Sequence, residues 1–258
     1  MKANGPIGVF DSGIGGVTVL KELKKILPDE DYVYYSDSKN SPYGDKSKQE
    51  VIKLSKSVID ILLEKQCKAI VIACNTASAI AAKTLREEYP EIPIVAIEPA
   101  YKMVHDFAYE KPTLVMATKG TIESEKFNLL YDTYNNHKTY LLPCIGLADA
   151  IEKGDFSEIK QILKEKLKPY QGKVENVVLG CTHYPLVKNE ITEVLGKVTF
   201  FDGAPRMALH MKEMLKQKKW LSQKNTGEMI FMDSQKNDLA KQKEKRFREI
   251  MQVLDKNE

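Results

Sequence analysis

The sequence has little of what secreted and membrane proteins use. Four cysteines occur in 258 residues, with no C-x-x-C pair among them, and disulfides are rare in the cytosol. No stretch approaches the roughly 18 uninterrupted apolar residues of a membrane span. The amino-terminal residues MKANGPIGVF also lack the apolar segment of a secretory signal. We therefore expect a cytoplasmic protein whose cysteines are thiols.

A large excess of charge of one sign is also missing. The 39 basic and 36 acidic residues give a net charge of +3, which is too small to draw a nucleic acid or a membrane surface to the protein. Apolar residues make up 43% of the chain, enough to fill one large core or two compact ones. We expect a small-molecule partner, no nucleic-acid partner and no membrane partner.

Two short apolar runs end in a cysteine. AIVIAC ends at Cys74 and VVLGC ends at Cys181, and polar residues suited to open a helix follow each of them. Runs of small and β-branched residues are typical of strands buried on both faces of a parallel sheet. Because ligands of such sheets bind beyond the carboxyl ends of the strands, both thiols are candidates for a site. Cys67 and Cys144 are predicted to be core residues.

The order of predicted strands and helices occurs twice along the chain. Asp11 and Thr118 each follow the first strand of a half, and the same number of residues separates Cys74 from Cys181. This offset predicts an α/β protein of two pseudo-symmetric lobes, each a mostly parallel sheet flanked by helices. The predicted lobes are residues 1–98 with 206–258, and residues 99–205.

The end of the chain is predicted to form a charged helix from about Lys236 that returns to one of the lobes. Its basic run, KQKEKRFRE, contains acidic residues and keeps a helical period. We interpret this run as a solvated helix face and not as a nucleic-acid site.

Two thiols on opposite sides of one substrate suit proton transfer at a carbon stereocentre. One thiolate removes the α proton, and the opposite thiol delivers another proton to the far face. A thiol whose pKa is lowered from its reference value of about 8.5 can serve as base or acid near neutral pH. The pair of Cys74 and Cys181 therefore predicts an enzyme that racemises or epimerises its substrate without a cofactor.

Polar residues near the two cysteines are candidates for binding or for tuning the thiols. Asp11 could accept the ammonium group of an amino acid, or it could only cap the glycine loop that follows. Side chains at predicted helix N-termini could bind a carboxylate, and these are Ser12, Asn75, Thr76 and Thr182. His183 could be an acid or base partner of the nearby thiol, or a structural histidine.

The residues alone leave other kinds of site open. Gly13-Ile14-Gly15 follows a strand and Asp37 ends the next one, as in a dinucleotide-binding fingerprint. Thr18 at the third glycine position, and the nearby carboxylate of Asp11, weaken that match. Cys181 and His183 could instead be the catalytic residues of a cysteine hydrolase. The cysteines and histidines do not fall at zinc spacing, so we predict no metal site.

Several motifs together resemble the glutamate racemases of the aspartate/glutamate racemase superfamily. They are DSGIGG from Asp11, SPYGDKS around Tyr43, ACNTAS around Cys74, TKGT from Thr118 and GCTHYPLV around Cys181. The resemblance covers nearly the whole chain. It implies an active site in the cleft between two lobes, a tail packed on the first lobe, and interconversion of L- and D-glutamate for peptidoglycan synthesis.

The resemblance also implies residue roles. Cys74 and Cys181 are its acid/base thiols, acting on D-glutamate and L-glutamate respectively, with Asp11 serving the first and His183 the second. The implied substrate contacts are Asp11, Ser12, Tyr43, Gly44, Asn75, Thr76, Thr118, Thr121, Thr182 and His183. Glu152 falls where the family's glutamate supports the histidine, although CIGLADAIEKG replaces the family's proline-rich segment there. We expect no cofactor, no metal, glutamate as the partner, and a homodimer.

Overall fold

The computed structural model of the chain describes residues 4–223 and 226–256. The strands of this part of the chain are β1 (Ile7–Asp11), β2 (Tyr32–Ser36), β3 (Ala69–Ile72), β4 (Ile94–Ala96), β5 (Thr113–Ala117), β6 (Thr139–Pro143), β7 (Asn176–Gly180), β8 (Thr199–Asp202) and β9 (Met229–Asp233). Its helices are α1 (Val17–Ile26), α2 (Lys48–Glu64), α3 (Asn75–Glu88), α4 (Tyr101–Ala108), α5 (Lys119–Ile122), α6 (Glu125–Tyr134), α7 (Leu147–Lys153), α8 (Phe156–Leu167), α9 (Lys188–Leu195), α10 (Ala204–Gln217) and α11 (Asn237–Lys256).

The strands form two parallel sheets of the same topology. The first sheet has the order β4-β3-β1-β2-β9 and the second the order β6-β5-β7-β8. In each, the first strand of the half lies between the second and the third, and the fourth lies beyond the third. The fixed offset in the sequence therefore reflects a strand order that occurs in both sheets. The predicted pair of pseudo-symmetric α/β lobes is confirmed.

Alternate residues of the strands pack into hydrophobic cores on the two faces of each sheet. In the first sheet, Val9 and Val71 pack on one face, and Phe10 and Ile72 pack on the other. The second sheet divides its residues in the same way. Burial on both faces explains why these strands are apolar without alternation, and it places Cys67 and Cys144 in the cores, as expected.

The end of the chain returns to the first sheet. Strand β9 pairs in parallel with β2, from Tyr32 opposite Met229 to Ser36 opposite Asp233. Helix α11 then packs against α1 and β9. The predicted lobe boundaries, after residues 98 and 205, stay a prediction.

One predicted helix differs from the structure, and one observed helix was not predicted. The sequence predicts a turn over Thr118–Thr121 and one helix from Ile122 to Tyr134. The structure has the short helix α5 at the predicted turn, and α6 begins only at Glu125, because the Ser124 side chain accepts a 3.1 Å hydrogen bond from the Phe127 N–H and starts a new helix. Helix α4 was not predicted from the sequence. No helix within residues 4–223 and 226–256 has the length and apolar character to cross a bilayer.

Candidate active site

The residues that follow the central strands of both sheets line one cavity. Ser12 follows β1, Cys74 follows β3, Thr118 follows β5 and Cys181 follows β7. The cavity measures about 20 Å³, which is room for about one water molecule. The two thiols, predicted from strand ends alone, therefore line one small cavity from opposite lobes.

Most of the predicted substrate-contacting residues also line this cavity: Ser12, Tyr43, Gly44, Asn75, Thr76, Thr118, Thr182 and His183. The other two, Asp11 and Thr121, and the predicted catalytic residue Glu152 lie one hydrogen bond behind it. Asp11 accepts from Thr182, Thr121 accepts from Thr118, and Glu152 contacts His183. Their roles in binding or catalysis stay predictions.

Cys74 is the N-cap of α3. Its sulfur lies 3.4 Å from the Ser12 hydroxyl and accepts a hydrogen bond from the Ala77 N–H at 3.5 Å. Burial is the main influence on this thiol, and with the charge of Asp11 it raises the pKa of Cys74 to about 12 against the two hydrogen bonds. The raised pKa keeps Cys74 protonated, as an acid must be before it donates a proton.

Cys181 has different surroundings from Cys74. A bend and a 3-10 turn, Tyr184–Val187, with Pro185 in its first turn, follow Cys181. Helix α9 begins at Lys188, one residue after the start that the sequence predicts at Val187. The polar residues directly after Cys181 are therefore not a helix N-terminus, unlike those after Cys74. The partner of Cys181 is instead a side chain, since Nδ1 of His183 lies 3.8 Å from its sulfur.

His183 and Glu152 form a buried pair behind Cys181. Nε2 of the histidine lies 2.8 Å from Oε2 of Glu152. Burial alone would lower the pKa of His183, but the hydrogen bonds and charges of Cys181 and Glu152 hold it well above its ordinary value. The imidazole is then a cation at neutral pH, with one N–H for the carboxylate and the other for the sulfur.

Glu152 is held as an anion by two cations. Burial raises its pKa, but hydrogen bonds and charges from His183 and Lys243 outweigh burial and lower the pKa to about 2. The backbone N–H of Ile14 donates to the same carboxylate at 2.9 Å. The replacement of the family's prolines therefore leaves Glu152 in contact with the histidine.

Asp11 lies at the end of β1 with no exposed surface. Burial raises the pKa of Asp11 to about 6, against the positive charge of His183 and hydrogen bonds from the Gly13 and Gly16 N–H groups. Its influence on the Cys74 thiol is through its charge, which raises the pKa of that group. A carboxylate with a pKa near 6 changes charge readily when a cation binds beside it.

Hydroxyl and amide groups supply the polar wall of the cavity. Thr76 and Thr118 join the lobes through a 2.8 Å contact between their hydroxyl oxygens. The side-chain amide of Asn75 is buried, and neither its nitrogen nor its oxygen has a hydrogen-bond partner among the described residues. Buried amides are nearly always paired, so Asn75 is the strongest candidate for a contact with a polar ligand.

The glycine loop after β1 packs tightly against the second lobe. A Cβ atom on Gly13 would overlap the Glu152 carboxylate, and one on Gly15 would overlap the His183 ring. The Ile14 N–H of this loop also donates a hydrogen bond to the Glu152 carboxylate. The loop therefore packs against the Glu152–His183 pair and leaves that N–H occupied. That use of the loop argues against the dinucleotide alternative.

Two residues that contact this site were not predicted to belong to it, although Asp37 was considered for the dinucleotide alternative. Asp37 accepts a 2.5 Å hydrogen bond from the Tyr43 hydroxyl and so fixes that ring at the cavity. Lys243 on α11 donates to Glu152 at 2.7 Å. Within the described part of the chain, no group of three or more metal-ligating side chains converges.

The comparisons with known proteins identify the family. The family model described as Asp/Glu/Hydantoin racemase matches residues 7–210. The chain belongs to this family. The glutamate racemase of Clostridium perfringens (strain SM101 / Type A) is 43% identical over 253 residues, which are 96% of this chain and 97% of that protein.

Solved structures of other members agree with this assignment. The glutamate racemase of Francisella tularensis subsp. tularensis SCHU S4, in complex with D-glutamate, has a TM-score of 0.80 at 33% identity and covers 95% of this chain and 94% of its own. The Escherichia coli glutamate racemase, in complex with L-glutamate, has a TM-score of 0.82 at 26% identity, covering 94% and 95%. The resemblance to glutamate racemases is thereby confirmed, and with it the predicted class of enzyme.

Proposed function

We propose that this chain interconverts L-glutamate and D-glutamate by proton transfer between Cys74 and Cys181. The observation that carries the proposal is that one thiol from each lobe lines a single small cavity. Two relatives of the same fold were solved with D-glutamate and with L-glutamate bound. The substrate assignment rests on those relatives, and the mechanism rests on the geometry of the two thiols.

The proposed reaction moves protons only. With L-glutamate, the Cys181 thiolate takes the α hydrogen as a proton, the carbon–hydrogen bond breaks, and its electron pair stays on the α carbon beside the carboxylate. The Cys74 thiol then gives its proton to the opposite face of that carbon, which forms D-glutamate and leaves Cys74 as the thiolate. The reverse reaction exchanges the two roles, so no redox partner is required.

The two thiols have different surroundings. His183, a cation beside Cys181, can donate a hydrogen bond to a thiolate, whereas burial raises the pKa of Cys74 and keeps it a thiol. The substrate ammonium would add a positive charge near Asp11 and Cys74. We propose that this charge makes ionisation of Cys74 favourable once substrate has bound.

The polar wall would orient the amino acid between the thiols. We propose that Asn75, Ser12 and the threonines Thr76, Thr118 and Thr182 contact its charged groups. The free space of about 20 Å³ is smaller than an amino acid, and we propose that the lobes, or the turn that carries Tyr43 and Gly44, move apart for substrate to enter. Closure would then exclude water from the carbanion.

Chiral separation of the products tests this proposal. Purified chain incubated with L-glutamate, or with D-glutamate, should reach equal amounts of both enantiomers, and dialysis against a chelator should leave the rate unchanged. Aspartate should react far more slowly. Failure to racemise either glutamate enantiomer would contradict the proposal, and comparable turnover of aspartate would contradict the substrate preference.

We also propose that the D-glutamate formed supplies peptidoglycan synthesis, as the family resemblance implies. Depletion of the chain in its own cell should create a requirement for D-glutamate that L-glutamate does not relieve. The predicted homodimer is a separate proposal, which sedimentation equilibrium would test.

A further inference from the structure

One partner of Glu152 has no part in the mechanism described so far. The carboxylate receives the Ile14 N–H and His183 on Oε2, and it receives Nζ of Lys243 on Oε1 at 2.7 Å. Glu152 is 6% exposed and the Lys243 side chain 24% exposed. A lysine from the end of the chain therefore completes the charge balance behind Cys181.

The position of Lys243 is fixed by the first lobe. Phe247, one helical turn further along α11, has no exposed surface and packs on Tyr34 at 4.5 Å and on Phe231 at 4.8 Å between ring centroids. The Tyr34 hydroxyl in turn donates to the Gly13 carbonyl at 2.8 Å. Because residues four apart lie on one side of a helix, anchoring Phe247 directs Lys243 toward the cleft.

A second cation of α11 holds the helix that carries Glu152. Nη2 of Arg246 donates to the Ile151 carbonyl at 2.9 Å, in the last turn of α7. The last carbonyls of a helix lack partners within it and favour a positive charge. Lys243 and Arg246 thus connect the first lobe, through α11, to Glu152 and to the end of α7 in the second lobe.

Lys243 constrains the carboxylate in two ways. Its charge opposes protonation of Glu152, and its hydrogen bond keeps Oε1 turned away from His183, so that Oε2 faces the ring. A carboxylate in that orientation keeps Nε2–H of His183 occupied and directs Nδ1 to the Cys181 sulfur at 3.8 Å. Removing Lys243 would leave a buried acid beside the imidazolium with one oxygen unpaired.

We propose that Lys243 is a positioning residue for the Cys181 half of the reaction, acting through Glu152 and His183. This inference rests on the proposed two-thiol function. The Cys74 half is served instead by Ser12 and the N-terminus of α3. Loss of Lys243 should therefore impair one thiol and spare the other.

Ordinary turnover cannot reveal this asymmetry. Enantiomers have equal free energies in water, so kcat/KM must be the same in both directions for any variant. The two halves have to be separated by removing one thiol at a time. In heavy water, Cys74→Ser leaves only Cys181 to exchange the α hydrogen of L-glutamate, and Cys181→Ser leaves only Cys74 to exchange that of D-glutamate.

The experiment adds Lys243→Met to each single-thiol background and follows deuterium uptake by mass spectrometry. In the Cys74→Ser background, we expect exchange of the α hydrogen of L-glutamate to slow by about tenfold. In the Cys181→Ser background, exchange of the α hydrogen of D-glutamate should change by less than about twofold. Lys243→Arg, which keeps the charge and a donor, should restore most of the L-glutamate exchange. Lys245→Met is the matched control, because Lys245 is on the same helix and 80% exposed, and it should change neither rate.

Each outcome supports or overturns the inference. Equal slowing in both backgrounds would show a general structural role, and unchanged exchange in both would show that Glu152 does not need Lys243. If Lys243→Met does not fold, Lys243→Gln, which keeps a hydrogen bond without the charge, answers the same question in both backgrounds. Racemisation by the wild-type chain is measured first, so that failure of the proposed function is seen separately.

Discussion

The Thr182 hydroxyl donates a hydrogen bond of 3.2 Å to Oδ1 of Asp11. Thr182 directly follows Cys181 in the second lobe, and Asp11 ends the strand next to the one that leads to Cys74. This contact, together with the one between Thr76 and Thr118, joins the two halves of the site. The charges of His183 and Glu152 in the second lobe also act on the pKa of Asp11, so the protonation of Asp11 depends on both lobes.

The effect of Asp11→Asn on stability should depend on pH. Relative to the wild type, the variant should be more stable above pH 6 than it is at pH 4. Burial raises the pKa of Asp11 from 3.8 to about 6, so between these values the folded chain keeps a proton that the unfolded chain has released. The wild type consequently loses stability as pH rises through this window. Asparagine cannot ionise, so the difference in unfolding free energy should shift in its favour by about 1–3 kcal/mol.

Urea denaturation of both proteins at several pH values measures that shift. Racemisation by Asp11→Asn should fall at the same time, since the carboxylate is lost from the site. A difference in unfolding free energy that does not depend on pH would contradict the assignment of a raised pKa to Asp11.

Gly15→Ala should remove activity while leaving the fold intact. The new methyl group would overlap the His183 ring, which Glu152 prevents from turning away. A misplacement of about 1 Å at such a group can lower the rate by about a hundredfold. Steady-state kinetics and circular dichroism should show a large loss of kcat with native secondary structure.

Gly196→Ala is the matched control for that substitution. Gly196 has φ of +81°, and a Cβ atom there would have no heavy atom of the described residues within 4 Å beyond its chain neighbours. Alanine at this position therefore strains the backbone and meets no side chain. It should destabilise the protein by about 1–3 kcal/mol and leave kcat unchanged. Equal kcat values for the two variants would contradict the role given to the glycine loop.

Lys68→Met should destabilise the protein without changing the chemistry of its folded fraction. Nζ of Lys68 lies 2.6 Å from Oε2 of Glu30, and both side chains are almost fully buried. Removing one partner leaves a buried charge and should lower the free energy of unfolding by about 3 kcal/mol. Adding Glu30→Gln should recover most of that loss, because the amide oxygen can still accept from the Ser222 N–H. A double variant as unstable as the single one would contradict this interpretation.

The strand-end cysteines could be predicted because their position follows from local sequence. An apolar run fixes a buried strand, and the carboxyl ends of parallel strands gather at one edge. The fixed offset between Cys74 and Cys181 then predicted two similar lobes, which the sheet orders confirm. None of these steps needed a long-range contact.

Lys243 could not be predicted in this way, because its direction depends on how α11 packs. The interpretation of KQKEKRFRE as a solvated face was wrong at Lys243 and Arg246, which reach Glu152 and the end of α7. A signal was present in Phe247, an apolar residue four positions after Lys243 that marks the inner side of the helix. The composition of the run obscured this signal, because the run is mostly charged and most of its other charged residues are indeed exposed.

The two-thiol mechanism is tested most directly by Cys74→Ser and Cys181→Ser in heavy water. Serine has a far higher pKa than cysteine, so each variant removes one base at nearly the same shape. Neither should racemise glutamate, but Cys74→Ser should exchange the α hydrogen of L-glutamate and Cys181→Ser that of D-glutamate, each without inversion. Racemisation at close to the wild-type rate by either variant would contradict the mechanism.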